Sequence, residues 1–394
     1  MSSPDARRFP SPLAVWAGLR VLTIAVAALA FASHPPTPDQ PHERTPVPDR
    51  VAERVVVAPW YSYDAVWYVK IVRDGYAPSD GTTNFHPLYP WVARVVLPPS
   101  AHPLWSLLLV STIAGGLVTI MFQRLAALDL APDRARAATY LFLCWPATFV
   151  IFAPYTEALW LLLAVTAFYG ARTGRWWIAG LAGGLASMTR QQGLLLLVPL
   201  CIEALMTGAF GRSARYPWER WVALSCVPLG YAAWVGIRAL LVGDFGPSFR
   251  SPNDFLFSVM ISPASRSVIG DAAFLPPWEA IGKAARYLQH GGHPSAWLDA
   301  ILAAGFLAML AVAWSRLRSS DRIYSALVTV VSLSFHTGEV SPYMALPRHL
   351  LLAFPVFIGF AAAYRFRHPL VAVVAGITAQ ATLVCAFVWM IWIP

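Results

Sequence analysis

Asp64 lies in Tyr61-Ser62-Tyr63-Asp64-Ala65-Val66-Trp67-Tyr68, the densest run of polar and aromatic residues in the chain. A carboxylate held among aromatics at a membrane surface can take a proton from a sugar hydroxyl as a general base. Tyr63, Trp67 and Tyr68 can stack on a sugar ring or sit in an interfacial aromatic belt. The same Asp64 can instead cap a short helix at 65–73, whose alternation of Val66, Val69 and Val72 with Lys70 and Arg73 reads as an interfacial amphipathic helix. The run continues through Arg73-Asp74-Gly75-Tyr76 to Asn84-Phe85-His86-Pro87-Leu88-Tyr89-Pro90, which adds His86.

Two further groups carry charge next to apolar segments. Pro154-Tyr155-Thr156-Glu157 opens one segment, and Thr189-Arg190-Gln191-Gln192-Gly193 joins two others. A carboxylate and a guanidinium at membrane depth are costly unless paired or functional, so Glu157 and Arg190 either pair with each other or act directly. Pro347-Arg348-His349-Leu350 begins a later segment. The fork of Arg348 suits bidentate contact with a phosphate, or snorkelling to lipid headgroups. Glu203, in the sixth apolar span near its cytoplasmic end, reads as structural.

The elements that must hold these groups follow from composition. The chain has 394 residues, of which 57% are hydrophobic and only 12% charged. Its mean hydropathy is +0.55. A soluble core cannot bury so much apolar surface, so the expected fold class is an all-α polytopic membrane protein. Eleven apolar spans are expected, at about 13–33, 103–127, 135–152, 155–171, 176–189, 193–208, 218–241, 297–315, 323–338, 347–364 and 369–393, in a single domain over 1–394. Pro146 and Pro154 are expected to kink or end the third span. The first span is expected to be retained as a transmembrane helix, being longer than the apolar region of a usual signal peptide. The four cysteines, Cys144, Cys201, Cys226 and Cys385, fall inside apolar runs without metal or disulfide spacing.

Two polar segments are long, 34–102 and 242–296. The first begins with a proline-rich spacer over 34–50. Alternate short connections carry Arg7/Arg8, Arg124/Arg134/Arg136, Arg172/Arg175, Arg212/Arg215/Arg220, Arg316/Arg318/Arg322 and Arg365/Arg367. The positive-inside rule places that side in the cytoplasm, with an inner N-terminus and both long segments outside. The net charge of +9 is therefore a record of topology and carries no implication of nucleic-acid binding. The sequence has no Gly-rich phosphate loop after a strand, no HExxH, no GxSxG and no DxD-type pair. An outward-facing transferase has no nucleotide sugar to use and needs a lipid-carried donor.

The pattern Tyr63-Asp64-Ala65-Val66-Trp67-Tyr68-x₂-Ile71-x₃-Gly75-Tyr76, followed by Phe85-His86-Pro87-Leu88-Tyr89-Pro90-x₃-Arg94, resembles the PIG-V-like mannosyltransferases. The resemblance continues in Pro154-Tyr155-Thr156-Glu157-Ala158-Leu159-Trp160, Arg175-Trp176-Trp177, Thr189-Arg190-x₂-Gly193 and Arg348-His349-x₄-Phe354-Pro355, in family order over 61–357. It implies a GT-C-type glycosyltransferase with outer-face juxtamembrane helices, taking mannose or another hexose from a polyprenyl-phosphate sugar. It places the catalytic carboxylate in the first outer loop, at Asp64. Tyr63, His86 and His349 stand where the family has Trp, Phe and Tyr.

The expectation that results is an inverting glycosyltransferase in the cell membrane, acting on an extracytoplasmic glycan or glycolipid. Asp64 is the expected base, and Arg190 and Arg348 stabilise the leaving lipid phosphate. Tyr63, Trp67, Tyr68 and His86 shape the sugar pocket, while Glu157 orients Arg190 or contacts the sugar. No metal or cofactor is expected. The rival reading, a multi-pass transporter or lipid flippase, would place its polar residues near the bilayer midplane.

Overall fold

The computed structural model describes residues 10–34, 50–78, 80–98, 101–209, 218–243, 273–338, 342–364 and 369–392. The proline-rich spacer, most of the second long segment and the basic residues Arg7, Arg8, Arg212, Arg215, Arg365 and Arg367 lie outside them.

The described chain is almost wholly helical and forms a multi-pass membrane protein. Among the described residues five helical stretches are long and apolar enough to cross a bilayer: Pro12–Ser33, Pro103–Ala126, Glu219–Val242, Pro294–Arg316 and Val371–Val388. We label Pro12–Ser33 α1 and Pro103–Ala126 α5. The other expected spans correspond to shorter helices of 9 to 16 residues: α6 (Pro132–Cys144), α7 (Glu157–Arg172), α8 (Trp176–Thr189), α9 (Leu197–Ala209), α14 (Ser319–Ser334) and α16 (Pro355–Ala363). Sixteen residues of α-helix rise only about 24 Å, short of a hydrocarbon core of about 30 Å. Two of these helices are extended by 3₁₀ turns, Pro146–Ile151 after α6 and Gln191–Leu196 before α9. Pro146 ends the third span as expected, with α6 stopping at Cys144.

The tenth span departs from the single segment expected. It is two short helices, α15 (Leu346–Leu350) and α16, broken over 351–354. Pro355 stands at the start of α16, where its missing N–H costs nothing. A two-residue antiparallel pair, β1 (Ala273–Phe274) with β2 (Phe335–His336), adds a minor exception to the helical class.

The first long segment folds onto one end of the bundle as α2 (Val51–Val56), α3 (Asp64–Asp74) and α4 (Leu88–Val95). The helix read as interfacial is α3, and its apolar face packs on protein rather than lipid: Ala65, Tyr68, Val69, Ile71 and Val72 are buried, against α4 and α5. The Tyr89 hydroxyl ties α4 to α5, donating to the Leu107 carbonyl at 2.9 Å with Ser111 Oγ at 2.8 Å.

Close backbone approach fixes α8. It packs against α10 (Glu219–Leu224) and α11 (Cys226–Val242). A Cβ at Gly230 would meet the Gly184 carbonyl oxygen at 2.1 Å, and one at Gly193 would meet the Ser187 nitrogen at 2.3 Å. Small residues let these helices approach where larger ones would part them. The second long segment contributes α12 (Pro277–Gln289), which leads into α13 (Pro294–Ala313). The last helix is α17 (Pro369–Val388).

Candidate active site

Four helix ends meet at the junction beneath the first long segment. Asp64 is the first residue of α3 and Glu157 the first residue of α7. Arg190 is the residue that closes α8, and Arg348 lies in the last turn of α15. Carboxylates at helix N-termini and guanidiniums at C-termini each complement the helix dipole. The capping role considered for Asp64 falls to Tyr63, which occupies the N-cap position without a side-chain cap hydrogen bond. Asp64 directs its carboxylate to Arg348 instead.

The charges alternate in contact. Arg348 Nη1 donates to Asp64 Oδ2 at 2.7 Å. Arg348 Nε lies 3.2 Å from Glu157 Oε1. The same Oε1 accepts from Arg190 Nη1, which also donates to Thr156 Oγ1 at 3.0 Å. Arg190 Nε reaches Gln192 Oε1 at 3.4 Å. The Arg348 guanidinium sits 5.1 Å from the centre of the Tyr155 ring, within cation–π range. Depth varies along the chain of charges. The Asp64 side chain is 30% exposed and that of Arg348 9%. Arg190 is 12% exposed and Glu157 is fully buried. Asp64 is thus the mouth of the network and Glu157 its floor.

The backbone is strained at both ends of the Asp64–Arg348 pair. Tyr63, just before α3, has φ 54° and ψ −126°, and Ala345, just before α15, has φ 65°. Side-chain-bearing residues adopt positive φ at a cost of about 1–3 kcal/mol, held in place by surrounding structure. At Tyr63 the ring packs on Phe387 of α17, 5.5 Å between centroids. Tyr63 therefore sits on the aromatic core beside the network.

Tyr68 is buried behind Asp64, edge-on to Phe85 and to Tyr89, each at 5.1 Å. Burial and the nearby Asp64 carboxylate push its phenol well up, so it stays protonated. Trp67 stacks on Phe85 at 5.8 Å, and Lys70 Nζ, paired with Asp80 at 3.1 Å, lies 5.8 Å from the Trp67 ring. His86 turns away from Asp64, toward α8 and α11. Its Nδ1 is 2.9 Å from the Ser187 carbonyl, and its ring packs on Trp234 at 5.8 Å. Burial holds its pKa down to about 4, with Arg238 and Arg190 adding to the effect, so the imidazole is neutral and Nδ1–H is the donor.

Of the residues singled out in the sequence, Asp64, Glu157, Arg190 and Arg348 form one network, and Tyr68 backs it. Trp67 belongs to the adjacent aromatic wall, and Tyr63 and His86 join that assembly to α17 and α8. Tyr155, Thr156 and Gln192 escaped notice as contributors, although each lies within two residues of Glu157 or Arg190. Glu203 is in an ion pair with Arg318 at 3.5 Å and bonds Ser320, remote from this junction and structural as expected.

The decisive comparison concerns the stretch that carries three of the four charges. Residues 44–216 match the family model described as mannosyltransferase (PIG-V). The match covers under half of the chain and takes in the motifs around Asp64, Glu157 and Arg190, while the Arg348 motif lies beyond it. No curated protein matches the chain. Among solved structures it is similar to ArnT from Cupriavidus metallidurans bound to undecaprenyl phosphate, with 14% identity and a TM-score of 0.52, over 92% of this chain and 62% of that one. It is also similar to the apo oligosaccharyltransferase of Archaeoglobus fulgidus, with 12% identity and a TM-score of 0.50, over 95% of this chain and 56% of that one. The chain thus spans less than two thirds of the length of either. At such identities the likeness is one of fold, and the fold is of the GT-C type.

Proposed function

We propose that this PIG-V-like chain is a glycosyltransferase that moves mannose, or another hexose, from a polyprenyl-phosphate sugar to an extracytoplasmic glycan or glycolipid. The observation that carries this reading is the contact series Asp64–Arg348–Glu157–Arg190, with its open carboxylate at the mouth and its guanidiniums beneath. Support for the lipid donor comes from the fold, shared with a protein solved bound to undecaprenyl phosphate.

In the reaction, the acceptor hydroxyl oxygen attacks C1 of the donor sugar while Asp64 takes the hydroxyl proton. The bond between C1 and the phosphate oxygen breaks, and its electron pair leaves with the polyprenyl phosphate. Arg348 and Arg190 stabilise the charge that develops there, since preorganised donors aimed at developing charge lower the barrier. A single displacement inverts the configuration at C1. Trp67 supplies an aromatic face for the sugar, Tyr68 closes the pocket behind it, and Tyr63 and His86 hold its walls. The arginine-rich connections support an extracytoplasmic position for this end of the bundle, where a nucleotide sugar is absent.

A transporter would gather its polar groups near the middle of its spans. Here they gather at helix ends, and nothing favours that reading. The test is incubation of purified protein with labelled polyprenyl-phosphate mannose and a panel of envelope glycolipids, with the anomeric configuration of the product determined by NMR. Transfer with inversion supports the reading. Transfer from GDP-mannose alone, or with retention, contradicts it.

A further inference from the structure

The two partners of Arg348 differ in kind. Glu157 is fully buried and cannot touch a substrate. Its Oε1 holds Arg190 Nη1 and lies 3.2 Å from Arg348 Nε, while its Oε2 is buried without a hydrogen bond among the described residues. Glu157 is therefore a shared anchor, joining two guanidiniums that the sequence separates by more than 150 positions. Asp64 holds the other edge of Arg348, at Nη1, from a side chain that is 30% exposed. An anion entering from the mouth competes with Asp64 for the same N–H groups and leaves Glu157 in place. The two carboxylates already balance the two guanidiniums, so an added phosphate makes the cluster anionic, and the more exposed carboxylate is the one that gives way.

Resting on the donor class proposed above, we propose that Glu157 is a positioning residue that binds Arg190 and Arg348 into one phosphate clamp, and that the donor phosphate displaces Asp64 from Arg348. The base is then released only when the donor is seated. Before that, Asp64 Oδ2 is held by Arg348 Nη1 and its negative charge is taken up by that pair. No covalent bond changes in this step; one ion pair is exchanged for another. Donor binding precedes productive acceptor binding as a consequence.

The test uses the purified full chain in nanodiscs and undecaprenyl phosphate as the probe, with binding read by intrinsic tryptophan fluorescence. Asp64→Asn removes the competing charge and should bind the lipid phosphate tighter than wild type, by roughly fivefold. Glu157→Gln should bind it roughly tenfold weaker or more, with Glu157→Asp recovering part of the loss. In transfer assays Glu157→Asp should raise KM for the donor more than it lowers kcat, a split that a merely structural defect would not produce. Should Glu157→Gln fail to fold, Asp64→Asn carries the test by itself. Asp64→Asn binding no tighter than wild type overturns the exchange, as does Glu157→Gln binding as wild type does. Wild type that does not bind undecaprenyl phosphate at all overturns the donor class, and the exchange falls with it.

Discussion

Each of the four charged residues of the network stands at a helix end, although the sequence marked them by different signals. Glu157 and Arg348 each begin an apolar segment, Arg190 joins two others, and Asp64 stands in the polar and aromatic run of the first long segment. The pairing of Asp64 with Arg348 was not legible, because 284 positions separate them and no local periodicity spans that distance. His86 was visible as a polar residue in an aromatic motif, but its burial against Ser187 and Trp234 depends on the packing of α8 and α11. That burial sets a pH dependence. The folded state holds the His86 pKa near 4 against an unfolded value of 6.5, so the unfolded chain binds the extra proton first as pH falls. Stability is therefore lost through this group between about pH 6.5 and pH 4, by about 3 kcal/mol in full. His86→Phe should flatten that acid slope of the thermal midpoint relative to wild type. An unchanged slope would show that the histidine is not buried neutral.

At the scale of elements, each expected apolar segment overlaps a helix, though the third runs eight residues past the end of α6 and the tenth covers two helices. Hydropathy already marked the third to sixth spans as short, but it could not show the 3₁₀ turns that extend α6 at its end and α9 at its start. Nor could it show the break in the tenth segment, although the Phe354-Pro355 step was there to be read. The amphipathic pattern of α3 identified its apolar face correctly but not the partner, since lipid and protein impose the same periodicity. The contact of the Gln191–Leu196 turn with α8 yields a prediction at this scale. Gly193→Ala places a Cβ where the Ser187 nitrogen lies, so the turn must shift and carry Arg190 with it. We expect a destabilisation of about 1–3 kcal/mol and a larger fractional loss of transfer activity, read by thermal unfolding and by assay. An alanine variant with wild-type stability and activity would mean that the close approach does not position Arg190.

At the scale of the whole molecule, the Asp64–Arg348–Glu157–Arg190 network gathers at helix ends beneath the first long segment. Class was legible because bilayer solvation constrains composition so strongly, and the motifs were legible over residues 44–216, where the family model matches. Orientation is a prediction from the arginine distribution. In a cysteine-free background, Asp74→Cys should react with an impermeant maleimide on intact cells, and Arg175→Cys only after permeabilisation; both positions are exposed. The reverse pattern would invert the topology. The central claim is that Asp64 is the base of a lipid-linked glycosyl transfer. The most direct measurement compares purified wild type with Asp64→Ala, given labelled polyprenyl-phosphate mannose and a competent acceptor, alongside a folding control. The account predicts labelled product from wild type and none above background from a variant that unfolds at a similar temperature. Substantial product from Asp64→Ala would contradict it.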